Sequence, residues 1–153
     1  MELLIVVLLI GILAAISAPF LIAAKASANE ASAIGTLRAL NSAQTAFVTA
    51  CGSGRYATSF NQLVTGRFAG PDMDVSPKSG FTFGLTPTGA AGAPACDGGP
   101  TQTAYYAWGQ PLSNLTGSRA FATNQIYAIW QDNTGVPPVE PFTSSATVEP
   151  LGR

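Results

Sequence analysis

The chain has 153 residues, enough for one folded domain plus one long element but too few for two ordinary domains. Apolar residues make up 47% of it and charged residues only 10%, against about 25% charged in an average soluble domain. The 7 basic and 8 acidic residues are scattered singly and give a net charge of −1, so the sequence offers no basic stripe for phosphates. We therefore predict no nucleic-acid partner.

The deficit of charge is concentrated at the N-terminus. Glu2 and Lys25 enclose 22 consecutive residues without a formal charge, most of them Leu, Ile, Val and Ala. As a helix this run would be about 33 Å long, which matches a hydrocarbon core of about 30 Å. It is apolar on every side and no basic region precedes it, unlike a secretory signal peptide. We predict a helix surrounded by lipid or by other helices, and a generic single-pass anchor is the plainest interpretation.

The same helix is predicted to continue to about Cys51. Residues 25–51 contain no proline and one glycine and are rich in helix-forming residues, and Gly52 and Gly54 then end the helix. Five residues spaced by three and four positions form one largely apolar stripe on the helix, which is suited to packing on a sheet: Leu37, Leu40, Gln44, Phe47 and Cys51. On the other side, we expect four polar side chains to face water: Lys25, Asn29, Ser32 and Arg38. A helix from Met1 to Cys51 would be about 75 Å long, so half of it should protrude.

The rest of the chain predicts an irregular connection and then a small sheet. Residues 55–77 contain several Gly and Pro breaks and one candidate short helix at 59–64. Four strand candidates follow, at residues 80–86, 104–108, 120–123 and 126–130, with a turn at 123–125. Residues 87–102 are rich in Gly, Ala and Pro and predict a loop. The segment from residue 135 contains four prolines and predicts an extended, irregular tail.

The two cysteines, Cys51 and Cys96, have no CxxC spacing, and the chain contains no histidine. This pattern excludes the usual zinc and haem arrangements. We predict a disulfide formed outside the cytosol, which would close a loop of about 45 residues and attach the end of the helix to the sheet. Two buried free thiols are the alternative.

Three residues make the apolar run more specific than a hydrophobic helix. Glu2 lies at the N-terminal end of the apolar run, Gly11 is the first residue of the block GILAAI, and Pro19 follows Gly11 by eight residues. With these spacings, the segment resembles the N-terminus of type IV pilins and of type II secretion pseudopilins. The close resemblance covers about the first 50 residues. More loosely, residues 56–63 and 117–121 resemble segments after the long helix and before the last strands of those proteins.

The resemblance implies an α+β protein with the type IV pilin fold, a long N-terminal helix packed on an antiparallel sheet of about four strands. Residues 1–24 would form the membrane anchor and the core of a filament. Residues 25–153 would form the amphipathic half of the helix and the sheet domain. Precursors in this family carry a short basic leader that ends in Gly, and then a Phe-Thr-Leu-like tripeptide. Because Met1 matches a position after that tripeptide, we expect the processing site to lie upstream of it.

The function implied by the resemblance is structural and requires no cofactor. The protein would reside in the inner membrane as a precursor, and the pilus assembly machinery would then add it to an extracellular homopolymer, with copies of itself as partners. Glu2 would pair with the N-terminal ammonium of a neighbouring subunit and set the register, whereas its plainer role is that of an interfacial residue. Gly11 and Pro19 would bracket a segment, residues 12–18, that melts in some filaments, whereas the plainer expectation is a kinked but continuous helix.

Two other functions stay open. A pseudopilin of a type II secretion system would act as a piston within the envelope, and a monomeric anchored domain would bind a ligand. We predict that the protein is not an enzyme, because it has no histidine, no GxSxG motif and no carboxylates paired at a helical spacing. The aromatic residues of the candidate strands are predicted to be core or subunit contacts: Tyr105, Tyr106, Trp108, Tyr127 and Trp130.

Metal binding and modification are weaker hypotheses. Asp72, Asp74 and Asp97 lie in predicted loops without EF-hand spacing, so we predict no metal site, with calcium as the alternative. Asn114 begins an Asn-Leu-Thr sequon and is a candidate for N-glycosylation. Candidates for O-glycosylation lie in the tail, at Thr143, Ser144 and Ser145.

Overall fold

The computed structural model describes residues 2–152. Helix α1 spans Glu2–Ala50, 49 residues and about 74 Å, and it continues through Pro19 without a break. The prediction of one long helix is confirmed, although Met1 lies outside the described residues. The helix ends where the glycines predict: Gly52 and Gly54 donate their N–H groups to the carbonyls of Phe47 and Val48, and Gly54 has a φ of +84°.

Six antiparallel strands follow within the described chain. They are β1 (Tyr56–Ala57), β2 (Phe81–Ala91), β3 (Thr101–Pro111), β4 (Ala120–Asn124), β5 (Ile129–Asp132) and β6 (Val148–Pro150). Strand β3 is central and pairs with β1, β2 and β4, and β5 and β6 continue the sheet beyond β4. A short helix α2 (Phe60–Thr65), N-capped by Ser59, and a 3-10 turn (Pro71–Asp74) connect β1 to β2. The predicted class, a long helix packed on an antiparallel sheet, is confirmed.

The sheet is larger than the sequence predicts, with six strands instead of about four. Residues 87–91 extend β2 and residues 101–102 begin β3, so the loop predicted for residues 87–102 is shorter than expected. Strand β2 tolerates Pro87 because it pairs only with β3 among the described strands, and an edge strand does not need every N–H group. Gly89, at a φ of +77°, lies where the register shifts.

Two smaller predictions near the C-terminus are also wrong. Strand β5 begins at Ile129 instead of residue 126, because the turn after β4 extends to Ala128, with Tyr127 in a left-handed conformation at a φ of +64°. The tail is not irregular throughout. Its residues 148–150 form β6, which pairs with β5 and gains backbone hydrogen bonds that proline-rich composition did not predict.

The core lies between α1 and one face of the sheet. All five positions of the predicted apolar stripe are buried: Leu37, Leu40, Gln44, Phe47 and Cys51. Lys25 and Arg38 are exposed as predicted, but Asn29 and Ser32 are half-buried. Their side chains donate hydrogen bonds to the carbonyl of Thr116 and the hydroxyl of Ser79, so loops of the sheet domain cover part of the face that we expected to be free.

The opposite face of the sheet is partly covered by the tail. Phe142 packs on Trp130, with the ring centroids 5.6 Å apart, and the Tyr106 hydroxyl donates to the carbonyl of Pro138 over 2.7 Å. Tyr105, by contrast, is fully buried toward the helix. The predicted core role is therefore confirmed for Tyr105, whereas Tyr106 and Trp130 pack against the chain's own C-terminal segment.

Candidate functional site

The N-terminal half of α1 has no partner within the described chain. Every Leu, Ile, Val and Phe side chain between Leu3 and Ile22 is roughly half exposed or more, from 48% at Ile22 to 81% at Leu3. Within residues 2–152, α1 is the one helix long and apolar enough to cross a membrane. Covering these side chains is worth on the order of 20 kcal/mol, at about 1.5 kcal/mol or more for each. Within residues 2–152, nothing covers this half of the helix.

The three residues that carry the family resemblance lie on this exposed half. Glu2 is exposed in the first turn of α1, about 13 Å along the axis from Gly11, which lies about 12 Å from Pro19. The fold therefore does not bring them together into one site. A Cβ atom added at Gly11 would meet nothing within 4 Å, so no contact inside the described chain requires a glycine there.

The C-terminal half of α1 is held by a series of polar contacts, which we call the helix–sheet seam and define by Asn29, Glu30, Asn41, Gln44 and Cys51. Asn29 and Glu30 bond the loop between β3 and β4, Asn41 and Gln44 bond strands of the sheet, and Cys51, just beyond the helix, is joined to the loop between β2 and β3. Glu30 bonds Ser118 and Arg119 just before β4, and Asn41 bonds Thr123 near its end, so these contacts follow the direction of β4. The seam therefore fixes both the rotation of the helix and its position along the sheet.

Glu30 forms an ion pair with Arg119 near the end of the seam that is closest to the apolar half of α1. Its side chain is 7% exposed and lies 2.7 Å from a guanidinium nitrogen of Arg119. One carboxylate oxygen also accepts the N–H groups of Ser118 and Arg119, over 2.7 and 3.1 Å. Burial alone would raise the pKa of Glu30, but the hydrogen bonds from Ser118 and the charge and hydrogen bonds of Arg119 outweigh it, so the pKa lies below its ordinary value.

Asn41 and Gln44 bond the middle of the sheet, where both are buried. Asn41 accepts the hydroxyl of Tyr105 over 2.8 Å and donates to Thr123 over 3.1 Å. The amide of Gln44 bonds both backbone groups of Ala57 in β1, donating to the carbonyl over 3.1 Å and accepting the N–H over 2.9 Å. Strand β1 pairs with β3, and Gln44 bonds the backbone groups of Ala57 as a second neighbouring strand would.

The predicted disulfide between Cys51 and Cys96 is present, and it lies at the C-terminal end of the seam. The Cys96 N–H also donates to the carbonyl of Cys51 over 3.0 Å, which fixes the loop against the end of the helix. This cross-link lies at the opposite end of the seam from Glu30. Together the two contacts hold the C-terminal half of α1 on the sheet.

The three candidate metal ligands do not form a cluster within the described residues, and two of them bond neighbouring groups instead. Asp72 pairs with Lys78 over 2.9 Å, which lowers the pKa of Asp72 by a hydrogen bond and by charge, and Asp97 accepts the N–H of Gly99 over 2.8 Å. Asp74 is exposed, and residues 2–152 contain no group of three metal-binding side chains. The candidate glycosylation sites are exposed, and they do not lie together: Asn114 is in the β3–β4 loop, whereas Thr143, Ser144 and Ser145 are in the tail.

Sequence reasoning missed Glu30 and Asn41, although a signal for Glu30 was present. Counting back from Leu37 by four and then three gives Ala33 and Glu30, so Glu30 lies on the buried stripe. A carboxylate on such a stripe predicts a buried partner. The partner, Arg119, is 89 residues away and its position could not be read from the sequence.

The chain has no significant match among protein-family models, curated proteins or solved structures.

Proposed function

We propose that this protein is the repeating structural subunit, a major pilin, of a type IV pilus-like helical filament. One observation carries the proposal: a single continuous helix has two halves with opposite environments. The C-terminal half is fixed to the sheet by the seam, whereas the N-terminal half exposes its apolar side chains on every side. A surface that is apolar all round suits a helix that is surrounded first by lipid and then by other helices.

The shape of the molecule supports packing among copies. The apolar half is about 33 Å long and the sheet domain is attached at one end only, so copies can stack their helices while the domains remain outside. A head-to-tail contact that repeats without closing into a ring generates a fibre. Helix contacts among copies would replace the lipid cover lost on leaving the membrane.

In this proposal Glu2, Gly11 and Pro19 act at contacts between copies. Glu2 places one carboxylate beside an otherwise apolar surface, and in a filament core of low dielectric it would favour a position facing the N-terminal ammonium of a neighbour. Gly11 has open space around it within one chain, so a neighbouring helix can approach closely there. Pro19 lacks the N–H group that would bond the carbonyl four residues earlier, which makes this the weakest part of α1.

The proposed route begins in the inner membrane, where the apolar half of α1 serves as the anchor. The pilus assembly machinery then extracts the subunit into an extracellular filament. The disulfide between Cys51 and Cys96 supports a location for the sheet domain outside the cytosol, where such bonds persist.

Electron microscopy of sheared cell-surface material tests this function. We expect homopolymeric fibres from the unchanged protein, and few or none from Glu2→Ala with normal amounts of protein in the membrane. Asp74→Ala is the matched control, because Asp74 is also an exposed acidic residue but lies in the sheet domain, and it should give normal fibres. Normal fibre yield from Glu2→Ala would contradict the role of Glu2. Confinement of the protein to the envelope, dependent on a secretin, would favour a pseudopilin.

A further inference from the structure

The seam shows how far each loop of the sheet domain lies from the apolar half of α1. Asn29 is four residues beyond Lys25, the first charged residue after the apolar run, and therefore about 6 Å further along the axis. Asn41 lies about 18 Å beyond Asn29. Loops that contact Asn29 are thus close to the apolar half, whereas loops that contact Asn41 are remote from it.

The β3–β4 loop, residues 112–119, is at the near end. The Asn29 amide donates to the carbonyl of Thr116 over 3.0 Å, and Leu112 donates its N–H to the carbonyl of Gly80. A Cβ atom added at Gly80 would lie within 3 Å of both Asn29 and Thr116. The Ser118 N–H also donates to the carboxylate of Glu30 over 2.7 Å, which is a second bond between the loop and α1. Its position relative to the helix is therefore fixed by several hydrogen bonds.

This loop presents two leucines to solvent, Leu112 at 57% and Leu115 at 67% exposure. Between them lie Ser113 and Asn114, which are polar and uncharged. Arg119 is the one charged residue of the loop, and it forms an ion pair with Glu30 of α1. The surface thus combines exposed leucines with neutral polar groups, a composition that suits the boundary between lipid headgroups and acyl chains.

We propose that the β3–β4 loop, through Leu112 and Leu115, contacts the headgroup region of the membrane in which α1 is anchored. The inference rests on the membrane stage of the proposed function and adds a second contact to it. The headgroup region extends about 5 to 8 Å beyond the hydrocarbon core, and the loop is bonded to a helix position about 6 Å above Lys25. The contact would hold the sheet domain upright on the membrane before assembly and would have to be released when the subunit is extracted.

Fluorescence quenching in lipid nanodiscs that hold one full-length chain each tests the contact. An environment-sensitive fluorescent amino acid is placed at Asn114, between the two leucines, or at Ile126, which is 72% exposed in the turn whose Tyr127 carbonyl bonds Asn41. Spin labels on the lipid headgroups quench probes within their reach. We expect at least threefold stronger quenching at residue 114 than at residue 126. Leu112→Ser combined with Leu115→Ser should reduce the quenching at residue 114 toward the value at 126.

Three outcomes would overturn the inference. The first is equal quenching at residues 114 and 126 in a sample where a probe at Leu9 is quenched by labels in the acyl chains. In that case α1 is anchored in the membrane but the loop does not contact the headgroups. Quenching at residue 114 that appears only with several chains in each disc would assign the loop to a neighbouring copy. A Leu9 probe that remains in water would contradict the membrane stage of the proposed function itself, and the loop contact with it.

Discussion

The carboxylate of Glu30 in α1 and the guanidinium of Arg119, which immediately precedes β4, lie 2.7 Å apart across the helix–sheet seam. The pair joins residues 89 positions apart in sequence and lies close to the point where α1 leaves the sheet domain. The stability of this junction depends on the charge of Glu30.

The first prediction concerns pH. Because the pKa of Glu30 is lower in the folded than in the unfolded protein, its contribution to stability is fully present above the unfolded value of about 4.5 and is lost as the pH falls through the folded value. The midpoint of thermal unfolding, followed by the fluorescence of Trp108 and Trp130, should therefore fall between pH 5 and pH 3. Glu30→Gln should flatten that part of the profile. An unchanged profile in Glu30→Gln would show that other carboxylates cause the loss.

The second prediction concerns the partner of the pair. Arg119→Ala leaves the Glu30 carboxylate without its counter-ion and should lower the free energy of unfolding by about 1 to 2 kcal/mol, because the Arg119 side chain is 35% exposed and two backbone N–H groups still bond the carboxylate. Arg38→Ala is the matched control, because Arg38 is exposed on the same helix, and it should change stability by less than about 0.5 kcal/mol. Similar losses in the two variants, measured by denaturant unfolding in detergent, would mean that the pair contributes little.

The third prediction concerns Gln44. Replacing it by leucine removes both hydrogen bonds to Ala57 and leaves a buried N–H and a buried carbonyl without partners, which should cost about 2 to 3 kcal/mol. Ser42→Leu, at an exposed position of the same helix, should be nearly neutral. Hydrogen exchange at the Ala57 amide gives a local measurement. Unchanged protection of that amide in Gln44→Leu would contradict the role assigned to Gln44.

The fourth prediction compares two glycines. A Cβ atom at Gly84 in β2 would lie 2.4 to 2.6 Å from atoms of the Trp108 indole on β3, whereas one at Gly35 in α1 would meet nothing within 4 Å. Gly84→Ala should therefore destabilise the sheet by about 1 to 3 kcal/mol through overpacking. Gly35→Ala should stabilise the protein by up to about 1 kcal/mol through helix propensity. The two changes should shift the unfolding midpoint in opposite directions, and a shift of the same sign in both would be inconsistent with this packing.

The fifth prediction concerns the disulfide. Its loop spans 45 residues, so replacing Cys51 and Cys96 by serine should lower the free energy of unfolding by about 4 kcal/mol in the chain-entropy model. Intact-mass analysis with and without reductant identifies the bond in the isolated protein. A pair of free thiols in protein taken from the cell envelope would contradict it.

The elements with a strong local signal could be predicted from the sequence. The unbroken run to Cys51, the apolar stripe from Leu37 and the glycines after the helix together specify α1 within one residue at its C-terminal end. The strand candidates at residues 104–108 and 120–123 were correct for the same reason, since aromatic and apolar residues there alternate or cluster between turn signals.

The errors arise where tertiary contacts override local composition. Pro87 and Gly89 indicate a loop, but the long pairing with β3 holds them in an edge strand. Residues 148–150 have little strand propensity, and they form β6 because β5 offers them an open edge. In the candidate site, the exposed half of α1 was predictable from composition, whereas the partners of Glu30 and Asn41 were not, because they lie more than 60 residues away along the chain.

A helical reconstruction of the filament by electron cryomicroscopy tests the central claim most directly. We predict that the side chains from Leu3 to Ile22 pack against the same segment of neighbouring copies along the filament axis, with the sheet domains outside. The same map would show whether residues 12–18 remain helical, as they are in the single chain, or melt on assembly. A filament with residues 3–22 on its surface, or a protein that remains monomeric after removal from lipid, would contradict the account.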